Sequence, residues 1–305
     1  MTASAHTLVL NDGVIVPKLA YGTGTKWFKR GDSTDPDAIN QELVESILTA
    51  LRLGFTHIDT AESYGTEPEY LKETGKPRSS IFITTKVSAP PADIKQSLAN
   101  SLKKLGPSVE GYVDLYLIHS PFWDYDAADS KLPIKQVWSD FESLVESKQT
   151  RSIGVSNWRI QDFKAVLATN PKIKPSVNQI EFHAYSQGLK LRDFVEVEAK
   201  IGTVVAAYGP LQPLIKFAEN GRVQDVVNKI AATKGAGITG SQVLLAWGWA
   251  VGTIQVTTSA KEDRLKEAVA ALDVVLTADE VSDISIAGAE TSTQRKFWIG
   301  KEFDD

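Results

Sequence analysis

The run Gly54-Phe55-Thr56-His57-Ile58-Asp59-Thr60-Ala61-Glu62-Ser63-Tyr64-Gly65 decides how the rest of the chain is read. It follows an amphipathic segment, Glu42 to Leu53, and Gly54 suits the position just beyond a helix, where a positive φ is needed. Phe55 to Ile58 is short, mixed and bounded by turn residues, which predicts a strand. The residues after Asp59 predict a turn entering another helix. Asp59 and Tyr64 then fall just past the strand's C-terminal end, the edge where parallel α/β folds place their chemistry. Taken alone, the stretch supports two readings equally. Either Asp59 caps the next helix and Tyr64 packs against it, or an acid and a phenol face one site.

On the N-terminal side, Leu8 to Leu10 and Val14 to Val16 flank Asn11-Asp12-Gly13, the pattern of a β-hairpin. From Lys18 onward strands and helices alternate. The predicted strands are Lys18–Tyr21, His57–Asp59, Ile81–Thr85, Val113–Ile118, Ser152–Val155, Val177–Ile180, Thr203–Ala207 and Ile254–Val256. The predicted helices carry apolar residues at spacings of three and four: Leu43, Ile47, Leu48 and Leu51 in Asn40–Leu53, and Ile94, Leu98, Leu102 and Leu105 in Ala92–Leu105. Further helices are predicted over Pro133–Ser147, Ile160–Ala168, Leu189–Lys200, Val223–Lys234, Ser241–Val251 and Lys261–Leu272. Thr277 with Glu280 forms a capping box for a last helix from Ala278 to about Ile286. Strict βα alternation implies a parallel sheet. Eight such strands in 305 residues predict an α/β fold of the closed (β/α)8 TIM-barrel type. One domain over residues 1–305 is expected, with the hairpin at 1–17, and a loop at 287–305 over the site. Three stretches resist regular assignment and read as binding loops: Lys26–Pro36, Ser120–Leu132 and Ala287–Asp305.

Composition narrows the function. Acidic residues number 38 against 33 Lys plus Arg, the opposite of the basic excess of a nucleic-acid binder. There is no cysteine, so disulfides, thiolate metal sites and cysteine nucleophiles are excluded. Four histidines without His-x-x-x-His spacing predict no metal site. No apolar run reaches membrane-spanning length, and Met1 to Thr7 lacks the pattern of a secretory signal. A cytoplasmic setting, a small-molecule partner and a monomer or weak homodimer are the expectations.

A barrel brings its strand ends to one face. Those ends carry Gly22 to Thr25, Asp59 with Tyr64, Lys86, His119, Ser156 with Asn157, Gln179 with Glu181, Tyr208, and Thr258 with Ser259. Singly, each has an ordinary structural explanation; together they predict a polar site. Gly54 to Gly65, Thr85-Lys86-Val87, Asp114-Leu115-Tyr116-Leu117-Ile118-His119-Ser120-Pro121, Ile153-Gly154-Val155-Ser156-Asn157 and Asn178-Gln179-Ile180-Glu181-Phe182-His183 resemble the aldo-keto reductase family, from the hairpin to about Leu276. Lys26-Trp27, Ser120 and Val256-Thr257-Thr258-Ser259 resemble its fungal ketoreductase branch, which includes conjugated polyketone reductases acting on cyclic diketones.

The resemblance implies an NADPH-dependent reduction of an aldehyde or ketone, the carbonyl being bulky or cyclic. Tyr64 would be the general acid, Lys86 would lower its pKa, Asp59 would hold Lys86, and His119 would donate to the substrate oxygen. Ser156, Asn157 and Gln179 would bind the nicotinamide carboxamide, and Tyr208 would stack on the ring. Thr258, Ser259, Lys261 and Arg264 would surround the 2'-phosphate. Gly24, Thr25, Lys26, Gly209, Leu211 and Glu267 would lie along the rest of NADPH. Trp27, Phe122, Trp123, Phe297 and Trp298 would wall the substrate. The chain departs from the family at Thr258, where a lysine is common, at Ala268 for asparagine, at Ser120 for tryptophan and at Gly209 for serine. The alternatives are a non-catalytic NADPH-binding sensor on the same fold, and a phosphate-binding barrel with Lys86 as a Schiff-base amine.

Overall fold

The Asn11-Asp12-Gly13 turn joins β1 (Thr7–Val9) to β2 (Ile15–Pro17), with Leu8 opposite Val16 in an antiparallel pair. The structure, a computed structural model, describes residues 6–29, 39–70 and 76–303. Residues 30–36 of the first predicted loop, and 304–305 of the last, lie outside the described residues.

Among the described residues, eight strands follow in parallel: β3 (Leu19–Gly22), β4 (His57–Asp59), β5 (Phe82–Val87), β6 (Val113–Ile118), β7 (Thr150–Ser156), β8 (Val177–Glu181), β9 (Val204–Tyr208) and β10 (Ile254–Thr257). They pair in chain order, and β10 closes the barrel on β3. The helices between them are α1 (Gln41–Leu53), α2 (Ile94–Leu105), α3 (Ile134–Glu146), α4 (Ile160–Leu167), α5 (Leu189–Asp193), α6 (Gln212–Ile215), α7 (Arg222–Lys234), α8 (Gly240–Ala250), α9 (Glu262–Ala270) and α10 (Ala278–Ala289). The ends have local causes. Asn40 accepts the Leu43 N–H at the start of α1, and Gly54 ends it at φ 112°, where only glycine is unstrained. The Thr277–Glu280 capping box opens α10 as predicted.

Several elements differ from the sequence reading, among them α6, which it lacks, and β7, which runs beyond Ser152–Val155 at both ends. β5 runs on through Lys86 and Val87, because both pair with β6, opposite Leu117 and Ile118. The predicted helix Leu189–Lys200 changes at Phe194 into a wider π turn, Phe194–Glu198. After Asp59, the described chain makes two short 3-10 turns, Glu62–Tyr64 and Glu67–Tyr70, with Gly65 at φ 67° between them.

Period-2 alternation explains where the side chains go. Leu115 and Leu117 of β6 join Phe82, Val177, Ala206 and Ile254 inside the barrel, where Leu10 and Val16 of the hairpin plug the lower end. Tyr116, Ile118 and Ile83 face the helices instead. Counting on by twos from these interior residues reaches Lys86 on β5, His119 after β6, Gln179 and Glu181 on β8, and Tyr208 on β9. The upper rungs of the barrel are therefore polar for the same reason that the lower rungs are apolar.

An ion cluster ties β5, β6 and β7 together. Asp114 accepts from Arg78 at 2.7 Å, from Arg151 at 2.8 Å and from the Ile83 N–H at 2.9 Å. Arg78 and Asp114 are buried. Asp114→Ala leaves a buried guanidinium without its counter-ion and is expected to cost about 3–5 kcal/mol of stability, read from the urea midpoint. A loss under about 1 kcal/mol would mean that the carbonyls around Arg78 suffice.

Candidate active site

Asp59 does not cap a helix. Its Oδ1 accepts from Lys86 Nζ at 2.8 Å and its Oδ2 from Gln179 Nε2 at 2.7 Å, and both ionic partners are buried. Lys86 also donates to the Thr60 carbonyl at 2.7 Å and to the Tyr64 hydroxyl at 3.5 Å. An ammonium has three protons, so all are engaged. That arrangement opposes use of Lys86 as a free Schiff-base amine. The Tyr64 ring meets His119 edge-on, centroids 5.4 Å apart, and His119 Nδ1 is 3.1 Å from Ser63 Oγ. With Nδ1 taken by Ser63, Nε2 is the nitrogen left to meet a ligand.

The electrostatics correct one expectation. Burial pushes the Tyr64 phenol above its ordinary range, and Asp59 adds to that; the net shift is upward, not downward. The Lys86 ammonium is 3.5 Å from the hydroxyl, but Asp59 at 2.8 Å already offsets its charge. Burial also pulls Lys86 down, against the pull of Asp59. His119 is pulled down to about 3 by burial and by Lys86, so the imidazole is neutral at ordinary pH. The site therefore presents a protonated phenol and a neutral imidazole side by side.

Next to this set lies an amide network. Tyr208 O–H donates to Asn157 Oδ1 at 2.7 Å, and Asn157 Nδ2 donates to the His119 carbonyl at 3.0 Å and to Ser156 Oγ at 3.1 Å. Asn157 sits at φ 60°, a conformation that asparagine tolerates better than most residues. Ser156 Oγ donates to the Gln179 carbonyl at 2.7 Å. Ser156, Asn157, Gln179 and Tyr208 are thus brought together. Gln179 has a second task that the sequence did not show, holding Asp59. Asn157 Oδ1 keeps a lone pair that suits an incoming amide N–H.

At the rim by β3 and β10, Trp27 N–H donates to Thr258 Oγ1 at 3.1 Å, and the Thr258 hydroxyl also lies within hydrogen-bonding reach of the Tyr21 phenol. Ser259 Oγ accepts from the Lys261 N–H at 3.0 Å. Lys261 is the N-cap residue of α9 and Arg264 lies in its first turn, both exposed. Glu262, in the same turn, is matched by Lys266 at 2.8 Å. Hydroxyls, two cations and a helix N-terminus form a donor set that fits a phosphate dianion. Other predicted cofactor contacts are engaged elsewhere. Lys26 bonds Glu42 at 2.8 Å, and the Glu267 carboxylate accepts from Thr239, which ties α9 to α8. Thr25 is exposed at φ 51°, Gly209 lies at φ 67°, and Leu211 packs on the core. A Cβ on Gly24 would come within 2.8 Å of the Tyr64 ring, so that position must be glycine for the phenol to sit where it does.

The aromatic wall is smaller than predicted. Phe297 meets Tyr208 edge-on at 5.4 Å, and Trp298 meets Phe122 at 5.0 Å. Trp27 is only 4% exposed, while its neighbour Phe28 lies against Tyr64 at 5.8 Å. The 3-10 turn Thr25–Trp27 exchanges the two roles: it sends the indole inward and the phenyl ring outward. Trp123 donates to the Leu132 carbonyl at 3.0 Å, pinning its own loop. Ser63 and Phe28 are site residues that the sequence reading does not name, while Glu181 is named at its strand end without a role. Ser63 and Phe28 each adjoin a residue that was chosen, and Glu181 shares the inward phase of Gln179.

A parallel barrel with a buried Asp–Lys pair beneath a phenol and a neutral imidazole has the donors and the cation that could stabilise charge developing on an oxygen. The sequence model of the aldo/keto reductase family matches residues 18–288, and the chain belongs to that family. It is 37% identical over 288 residues, 93% of this chain and 95% of the other, to an NAD/NADP-dependent indole-3-acetaldehyde reductase of Schizosaccharomyces pombe. It is also 37% identical over 308 residues, 98% and 96% of the two chains, to an NADPH-dependent alpha-keto amide reductase of Saccharomyces cerevisiae. Among solved structures, an aldo/keto reductase from Brucella melitensis aligns at TM-score 0.75 and 31% identity, covering 94% of this chain and 99% of that one. Among the described residues, no helix is long and apolar enough to cross a membrane and no cluster of metal-ligating side chains occurs.

Proposed function

We propose that this protein is an NADPH-dependent carbonyl reductase acting on bulky or cyclic carbonyls, with Tyr64 as the proton donor. The observation that carries the reading is the Asp59–Lys86–Tyr64–His119 set, with Lys86 joined to both Asp59 and Tyr64. When bound, the nicotinamide cofactor would supply hydride to the carbonyl carbon. The chain's own residues do the rest. His119, neutral, donates from Nε2 to the carbonyl oxygen, and the Tyr64 hydroxyl donates to the same oxygen. Lys86 carries positive charge behind the phenol, so negative charge arising on Tyr64 meets a fixed cation. Asn157, with Ser156 and Gln179, would orient the carboxamide. The hydroxyl and cation cluster at α9 would hold the 2'-phosphate.

The named substrates of the two fungal relatives carry the reacting carbonyl one methylene from an aromatic ring in one case and next to an amide in the other. The Phe297, Trp298 and Phe122 rings suit such groups better than a small charged sugar. The test is the fall of NADPH absorbance with a panel of aldehydes, ketones, 1,2-diketones and ketolactones. Tight NADPH binding without turnover on any of them would favour a sensor instead.

The pKa directions set the pH dependence. Reduction needs the protonated phenol, whose pKa is raised, so kcat/KM for reduction is expected to stay flat from about pH 6 to pH 9. Alcohol oxidation needs the phenolate, whose fraction grows tenfold per pH unit below the pKa, so oxidation is expected to climb with pH across that window. A reduction rate that falls steeply between pH 6 and pH 9 would assign the proton to a group of lower pKa than Tyr64.

A further inference from the structure

We infer that Glu181 is a positioning residue, the catch that holds the C-terminal arm, Gln294 to Phe303, over the barrel mouth and so sets which carbonyls are accepted. The inference rests on the reductase reading of the site. Glu181 ends β8 in the inward phase and is 0% exposed. Its two oxygens accept consecutive backbone N–H groups of the arm, Lys296 at 2.8 Å and Phe297 at 2.9 Å. His183 Nε2 lies 3.4 Å from the first of those oxygens. A buried carboxylate needs donors of this kind, and charge-assisted bonds are among the stronger ones.

The arm is therefore more than a flap of aromatic residues. It supplies the hydrogen bonds that a charge inside the barrel requires. The Gln294 N–H bonds the Tyr185 carbonyl at 3.1 Å, a second tether at the start of the arm. Just beyond the catch, Trp298 adopts φ 55°, turning the chain beside Phe122. Phe297, whose own N–H is held by Glu181, sets its ring edge-on to Tyr208. Lifting the arm strips Glu181 of two donors and Tyr208 of its aromatic neighbour in one movement. Glu181 thereby couples the substrate wall to the residue expected to cover the nicotinamide ring. Its contacts are with the arm and His183, and it acts through the arm.

Glu181→Gln exchanges an acceptor oxygen for an NH2 that faces an N–H. The loss of one charge-assisted bond corresponds to about tenfold in the closed fraction of the arm. Lysyl endopeptidase is expected to cut the variant after Lys296 about tenfold faster than the parent, and KM for a phenyl-substituted 1,2-diketone to rise about tenfold with kcat within about threefold. A chain ending at Thr293 should show the same high KM, and Glu181→Gln should change nothing further in that background. The inference is overturned if cleavage is no faster in the variant, or if Glu181→Gln raises KM equally without the arm. Should Glu181→Gln fail to fold, the chain ending at Thr293 decides: a KM equal to that of the full chain overturns the inference. Cleavage requires no turnover, so a protein that reduces no carbonyl would sink the reductase reading while this comparison still decides the catch.

Discussion

Tyr64→Phe is expected to keep the fold and NADPH affinity and to slow carbonyl reduction by about 10²–10⁴-fold, the range that a positioned proton donor contributes. The substitution removes one oxygen. The phenyl ring keeps its contacts with Phe28 at 5.8 Å and His119 at 5.4 Å, and still fits over Gly24. What is lost is the hydroxyl 3.5 Å from Lys86. The alkoxide left by hydride addition must then find a proton elsewhere. His119 is a poor substitute, since its pKa of about 3 means that the neutral ring would have to donate from nitrogen and become an anion. Lys86 is turned away into its bonds with Asp59 and Thr60. The measurement is single-turnover NADPH oxidation beside a fluorescence titration of NADPH. If the variant binds NADPH and turns over within about threefold of the parent, Tyr64 is not the donor.

How much of this was legible beforehand depends on how local each cause is. The alternation of strands and helices, the Gly54 end of α1 and the Thr277–Glu280 cap are written in residues a few positions apart, and short-range pattern is what a sequence displays. Lys86 reads as the residue past a strand because lysine ends an apolar run. It lies within β5 because a partner strand, invisible in local sequence, offers Leu117 to pair with it. Trp27 looked like a wall because it is large and aromatic, but one short 3-10 turn decides whether it or Phe28 faces the site. The four acid-base residues stand out at strand ends, their roles come from the family resemblance, and their inward phase comes only with the strand register. The direction of the Tyr64 shift was beyond sequence altogether, because it is a contest between burial and two opposite charges. Glu181 was visible as an inward polar residue, but its donors lie 115 and 116 positions away.

Lys86→Met separates what the Asp59–Lys86 pair does for the fold from what it does for chemistry. Lys86 is 0% exposed and Asp59 only 2%, so removing the ammonium leaves a carboxylate held by the Gln179 amide but without a counter-ion. Loss of one partner from a buried pair costs about 3–5 kcal/mol, and the urea midpoint should fall accordingly. Activity should fall as well, by about 10²-fold or more, because charge arising on the Tyr64 oxygen would then face Asp59 with no cation between them. Stability loss alone could explain a dead variant, so Asp59→Asn in the same chain is the informative addition. It removes the stranded charge, keeps an acceptor for Gln179, and should recover most of the lost stability, as neutral replacements of buried ion pairs commonly do. It should recover none of the rate. A double variant that is stable and still inactive locates the cost of losing Lys86 in the transition state. A double variant that regains the parent rate along with its stability would show that the pair only supports the barrel, and that the Tyr64 phenol works without a cation behind it.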